Sequence, residues 1–269
     1  MKNKSLKFSI LLLGLAIFGC KPAEKHSTQA VVESAKERKE NSTSEIRAKQ
    51  EVPILCYHRI AEDPSGDYAL SPTAFADQLK ALADSGFHSI SPDELYNYLV
   101  YNDTLPPHPF MITFDDSRSE HATIAAPLLE RYGFKGVFFI MTITYGKKNY
   151  MTTQQIAELA KAGHTIGLHT WDHTMVSKFK DSTDWQRQIE KPLAKLAILT
   201  GKPVAYFAYP NGVYNHEGAS GLSNYFKLSF ILSNKRDSLV PLQTVRRMIV
   251  PGWSAKSTIQ AMRRTFKLN

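Results

Sequence analysis

The sequence predicts an α/β fold made of parallel βαβ units. Apolar runs of strand length alternate about seven times with segments of helical period. Several of the runs end in ionisable side chains, as strands do when their carboxyl ends line a functional mouth. The chain has 269 residues, 43% hydrophobic and 22% charged, which suits one large globular domain. A closed barrel and an open doubly wound sheet both fit the alternation. No Gly-x-Gly-x-x-Gly follows a strand and no Walker loop is present, so nothing points to a nucleotide.

The net charge of +8 is uneven: residues 1–50 carry ten Lys/Arg against five Asp/Glu. The excess belongs mainly to the N-terminus. No basic, aromatic-interleaved face suggests nucleic acid. Lys2, Lys4 and Lys7 precede an apolar stretch from Phe8 to Gly19, 12 residues long and short for a permanent span. It ends at Gly19-Cys20 and resembles a bacterial lipoprotein signal, in which Cys20 becomes the lipidated first residue. The expectation is a signal over 1–20, a flexible tether over 21–50 rich in Lys, Glu, Ser and Ala, and a folded domain over 51–269. This describes an exported lipoprotein held to a membrane through Cys20, on the periplasmic or cell-surface side. The only other cysteine is Cys56, inside an apolar run, and it reads as a small buried hydrophobe.

Val52–Tyr57 is the first expected strand and ends at His58-Arg59. Ser71-Pro72 and Ser91-Pro92 each look like an N-cap followed by proline in the first turn. The first opens a helix with Phe75, Leu79 and Leu82 on one face, and Gly86 closes it. Pro109–Phe114 is a continuous apolar run that meets Asp115-Asp116. A helix with Ile124, Leu128 and Leu129 follows, stopped by Gly133. Gly136–Thr142 reads as a strand, Thr153–Ala162 as a helix, and His164–Leu168 as a strand that runs into His169. Asp184–Leu199 is a long helix carrying Ile189, Leu193, Leu196 and Ile198. Strands are expected at Val204–Ala208, Leu228–Leu232 and Thr244–Val250, and Ser254 caps a last helix with Ile259, Met262 and Phe266.

Three strand ends carry the chemistry. Two adjacent aspartates at a strand end are too costly to bury unpaired. A cation bound by one keeps it ionised and leaves the other free to act as a base. His169 and His173 are four apart, a spacing that can place both rings on one cation. Two imidazoles and one carboxylate form a three-ligand site suited to Zn²⁺ with a position left for water. The same ligands accept Co²⁺ or Ni²⁺.

Thr113-Phe114-Asp115-Asp116 and His169-Thr170-Trp171-Asp172-His173 resemble the first two motifs of the polysaccharide deacetylases, carbohydrate esterase family four. The lead-in Gly163–Leu168 and the segment Tyr150-Met151-Thr152 match as well. The resemblance covers roughly residues 52–255 and implies a deformed (β/α)7 barrel and metal-dependent removal of acetyl groups from N-acetylglucosamine-type glycans. It assigns Asp115 as general base, and Asp116, His169 and His173 as metal ligands. The family's Arg-x-Pro-Tyr motif stands here as Ala208-Tyr209-Pro210-Asn211, without the Arg that tunes the base. The late Leu-x-His that carries the acid is missing, since no His follows residue 216. Leu55-Cys56-Tyr57-His58 and Phe207-Ala208-Tyr209-Pro210 instead resemble the permuted branch that de-N-acetylates poly-β-1,6-N-acetylglucosamine, in which an early His is the acid. His58 takes that role, and Arg246 or Arg247 on the last strand is the candidate for the missing Arg. Tyr209, Pro210, Asn211 and Trp171 are assigned to the substrate. Tyr145, Tyr214 and Trp253 are further aromatics that could face a sugar, and Trp185 reads as packing. The implied partner is an acetylated glycan substrate, and the protein itself is expected to be a monomer. The alternatives are an O-acetyl polysaccharide esterase and a non-catalytic glycan-binding lipoprotein.

Overall fold

The computed structural model describes residues 38–268 except Asp67, Asn234 and Arg236. The expected signal and the lipidated Cys20 lie outside the described residues. Seven parallel strands form a closed barrel: β1 (Ile54–Tyr57), β2 (Pro109–Phe114), β3 (Gly136–Ile140), β4 (Thr165–Leu168), β5 (Tyr206–Ala208), β6 (Leu228–Leu232) and β7 (Val245–Ile249). They pair in the order β1-β7-β6-β5-β4-β3-β2, and β2 returns to β1 to shut the ring. Of the two architectures left open by the alternation, the barrel is the one formed.

Continuous apolar runs serve as these strands because both faces are covered. All five residues of β3 are buried. Phe114 stacks on Phe138 at 4.8 Å and on Tyr57 at 5.7 Å, tying β1, β2 and β3 together. Helices α1 (Pro72–Asp84), α2 (Pro92–Tyr101), α3 (Ala126–Arg131), α4 (Thr153–Lys161), α5 (Lys191–Thr200), α6 (His216–Leu222) and α7 (Ala255–Phe266) belong to the connections and the C-terminus. Their starts follow the expected chemistry. Ser71 accepts from Ala74 N at 3.1 Å, Ser91 forms a capping box with Glu94, and Ser254 accepts from Ser257 N at 3.2 Å. Phe75, Leu79 and Leu82 of α1 are fully buried, as their spacing requires. The helical segment ahead of α5 begins at Ser182 and passes through a π-helical stretch, Gln186–Glu190, before α5 itself. Ile198 on α5 points away from the core and is exposed.

Some elements carry no sequence period long enough to read. His88–Ser89 adds a two-residue strand beside β2, and Arg59–Ile60 pairs with Ala69–Leu70 at the mouth. Helix α6, capped by Asn215, follows the turn after β5. The β6–β7 connection has no helix among its described residues, so the regular alternation lapses there.

Part of the segment expected as a tether, residues 38–50, is described. It packs on the domain. Thr43–Ala48 is a short helix with a Ser42–Glu45 capping box, and Ile46 is buried. Asn41 donates its backbone N–H to Val100 O at 2.8 Å and its side chain to Leu99 O at 2.8 Å. One apolar residue, local capping and these backbone bonds suffice to dock a segment that is polar by composition.

Candidate active site

The site lies where the carboxyl ends of β1, β2, β4 and β7 meet. The two-residue period of a strand decides which side chains reach it. On β1, residues 54, 56 and 58 share one parity, and on β2 residues 111, 113 and 115 share one. Leu55 pairs with Ile112 and with Met248, which brings Cys56, Thr113 and Arg247 to a common side.

Arg247 holds Asp115 at both oxygens, with Nη1 to Oδ1 at 2.7 Å and Nη2 to Oδ2 at 2.8 Å. Nη1 also donates to Thr113 Oγ1 at 3.1 Å, and the guanidinium lies over the Phe139 ring. Both members of the pair are buried. Burial alone would raise the Asp115 pKa. The Arg247 charge, with His169 and His58 nearby, outweighs burial and holds the carboxyl well below its usual range. The charge missing from position 208 is therefore supplied by the last strand. Arg247 fills the place, while Arg246, of opposite parity, pairs with Glu51.

Asp116 sits beyond the strand with φ +72°, and that turn separates its carboxylate from that of Asp115. Its Oδ1 lies 3.6 Å from His169 Nε2 and 3.5 Å from His173 Nε2. His169 is buried, and its Nδ1 bonds the Ala208 carbonyl at 2.8 Å. That bond puts the ring proton on Nδ1 and turns the Nε2 lone pair toward Asp116. Burial pushes the His169 pKa down and favours the neutral ring that a metal needs. Three donor atoms, two nitrogens and one oxygen, thus converge in a set that fits a divalent transition ion. A second grouping, Cys56, His58 and Asp115, is equally close. It is a poor cation site, because Arg247 already occupies both Asp115 oxygens.

His58 is half-buried. Its carbonyl accepts from the buried His121 Nε2 at 2.7 Å, and its Nδ1 lies 3.9 Å from Cys56 Sγ. Cys56 also approaches Asp115 Oδ2, at 3.5 Å, so it touches the site as well as filling space. His121 carries no motif that marks it, and Cys56, although it stands inside the Leu55–His58 motif, is placed beside His58 by strand parity. A cavity of about 330 Å³ opens beside Asp116 and His173, bordered by Arg118, Lys147, Tyr150 and Asp172. A larger one, about 510 Å³, lies at the opposite end of the barrel against Gln50–Pro53, and among the described residues no three-donor group borders it.

The substrate assignments fare unevenly. Tyr209 is fully buried, edge-on to Phe207 at 5.2 Å, and offers no face to a glycan. The expected stacking role is withdrawn for it, since its ring completes the core beneath the turn. Pro210 is buried and Asn211 exposed, with φ +59°. That left-handed conformation is one Asn tolerates far better than most residues, which accounts for Asn at this position. Trp171 is half-buried, and Gln188 Oε1 accepts from its backbone N–H at 3.1 Å. Tyr145 is half-buried, and Tyr214 donates to Asp237 at 2.7 Å. Trp185 packs edge-on to Phe179 and stacks on Tyr225, as its helix position requires.

Residues 102–225 match the family model for polysaccharide deacetylases. This stretch is similar to polysaccharide deacetylases. Over 232 residues the chain is 28% identical to YxkH of Bacillus subtilis (strain 168), named as a candidate polysaccharide deacetylase, covering 80% of this chain and 81% of that protein. The Streptococcus pyogenes deacetylase PplD, solved in complex with acetate, superposes with TM-score 0.73 at 23% identity over 79% of this chain and 98% of that one. IcaB from Ammonifex degensii superposes with TM-score 0.66 at 27% identity, over 82% and 97%. The barrel is thus the (β/α)7 fold that the motifs imply.

Proposed function

We propose that this chain is a metal-dependent hydrolase that removes N-acetyl groups from an N-acetylglucosamine-containing polysaccharide and releases acetate. The observation that carries the reading is the pairing of an ionised, arginine-clamped Asp115 with the Asp116–His169–His173 donor set one residue away. The likeness to IcaB supports placing it near the permuted branch.

Asp116, His169 and His173 would hold the divalent ion, most simply Zn²⁺. When bound, such an ion polarises an acetyl carbonyl and makes water more acidic. Asp115 is the proton acceptor for the attacking water, and Arg247 keeps it unprotonated and fixes its plane. Gly212 spends its N–H on Tyr209 O, so oxyanion stabilisation from that turn falls to the N–H of Asn211. His58 donates the proton that lets the amine leave. Its half-exposed position leaves the ring able to reach substrate, while His121 fixes its backbone. Pro210 shapes the turn, and Trp171 borders the ligand loop. The lipoprotein anchor at Cys20 would place this chemistry outside the cytoplasm.

The test is acetate release from β-1,6- and β-1,4-linked N-acetylglucosamine oligomers, with chelator and then with added Zn²⁺, Co²⁺ or Ni²⁺. Metal-restored release from the β-1,6 polymer supports the whole reading, and release from β-1,4 chains alone moves the substrate. Release only from O-acetylated polymers would replace N-deacetylation by esterase chemistry. No release and no bound metal would overturn the enzyme reading.

A further inference from the structure

Two of the few large apolar side chains left in solvent stand on segments that touch each other beside His58. Tyr68 is 48% exposed and Trp253 37%. Tyr68 belongs to the connection after β1, and its ring lies against the His58 ring, 5.6 Å between centroids at 36°. The Arg59 N–H bonds Tyr68 O at 3.2 Å, so the aromatic is tied back to the strand end that carries His58. Trp253 belongs to the connection after β7, the strand next to β1.

The two segments are packed together. A Cβ on Gly252 would stand 3.0 Å from the Ala69 carbonyl, so the backbones of 252 and 69 are in close contact. Gln78, buried on α1, donates to Trp253 O at 2.7 Å and accepts from Tyr57 OH at 2.8 Å. These bonds fix the backbone on either side of both aromatics and leave the rings outside the core. Elsewhere on this face Tyr209 is spent completely on packing.

We propose that Tyr68 and Trp253 form the stacking platform for a pyranose ring of the glycan on the His58 side of the site. This rests on the deacetylase reading for its ligand, a neutral N-acetylhexosamine polymer. The axial C–H groups of such a ring are apolar and slightly positive, and the face of an aromatic ring is negative, so the two surfaces attract. Holding the sugar there would bring the leaving amine under His58. Tyr68 and Trp253 are positioning residues and exchange no proton.

The experiment measures two things on the full chain. Affinity for β-linked N-acetylglucosamine pentamers is read by calorimetry with metal chelated, and kcat and KM are read by acetate release with metal restored. The expected result is about fivefold weaker binding and higher KM in Tyr68→Ala and in Trp253→Ala, with kcat within about twofold, as loss of an aromatic contact of ~1 kcal/mol predicts. Tyr68→Phe should recover most of the affinity that Tyr68→Ala loses, because the ring and not the hydroxyl is at work. Unchanged affinity in both alanine variants overturns the platform. So does a fall in kcat at constant affinity, which would mean that the rings act on His58 itself. Ring-dependent binding without acetate release from any polymer would refute the deacetylase reading and leave the platform standing.

Discussion

Arg247 grips both oxygens of Asp115 across β1, which lies between their two strands. The pair is buried, so the cost of breaking it is the cost of stranding a charge. Arg247→Met should destabilise the fold by about 3–5 kcal/mol, because Asp115 is left without a counter-ion. Asp115→Asn added to that variant should restore part of the loss. Urea unfolding of the two single variants and the double would show it. Equal stability of Arg247→Met and the double would contradict the coupling.

Asp115→Asn alone should abolish acetate release while metal still binds, because the three donors belong to other residues. Metal titration and turnover on the same sample decide the matter. Near-native turnover would remove Asp115 from the role of base.

The two histidines should contribute unequally to metal binding. His169 is buried and oriented by the Ala208 carbonyl, whereas His173 is about one third exposed at its side chain. His169→Ala should weaken Zn²⁺ binding by more than about 100-fold, beyond the 10–100-fold cost of losing a partner that only orients a ligand. His173→Ala should weaken it less. Calorimetry at constant pH reads both, and equal losses would show that pre-orientation of His169 counts for nothing.

His164 provides a pH dependence remote from the chemistry. It is buried, and its Nδ1 accepts from Gly136 N at 3.0 Å. Burial and then the Lys135 charge push its pKa down to about 4, against an ordinary 6.5. The unfolded chain therefore binds a proton first as pH falls. The His164 contribution is intact above about pH 6.5 and is lost progressively toward pH 4, up to ~3 kcal/mol. His164→Gln should flatten the stability profile across that window. A wild-type profile already flat from pH 7 to 4.5 would contradict this.

Asn211 should tolerate Gly and resist Val. At φ +59° a β-branched residue costs about 1–2 kcal/mol and Gly nearly nothing. Thermal melts of the two variants would separate them, and equal midpoints would argue against backbone conformation as the reason for Asn here.

The sequence discloses what repeats or what marks a boundary. Apolar runs gave the barrel strands, and Ser-Pro and Gly punctuation gave most helix ends, because those signals are local. The Asp115-Asp116 and His169–His173 groupings were legible as motifs, and the structure brings three of their donors together. The choice of Arg247 over Arg246 needed strand parity plus knowledge of which strands adjoin, and the second is not local. The burial of Tyr209 is not legible locally, because its exposure depends on the turn that follows it. Tyr68 went unremarked because it lies in a polar loop and meets His58 only after the short Arg59–Ile60 and Ala69–Leu70 strands pair.

Residues 38–50 enter the domain beneath the barrel. Arg38 pairs with Asp103, Asn41 meets the end of α2, and Gln50 reaches the last turn of α7. These are the points from which chain runs into the strands or down from the helices, so they mark the stem end, while the aspartates and histidines open at the crown. The segment 38–50 is therefore fastened at the stem, and its bonds leave the crown, where the donors gather, unobstructed on that side.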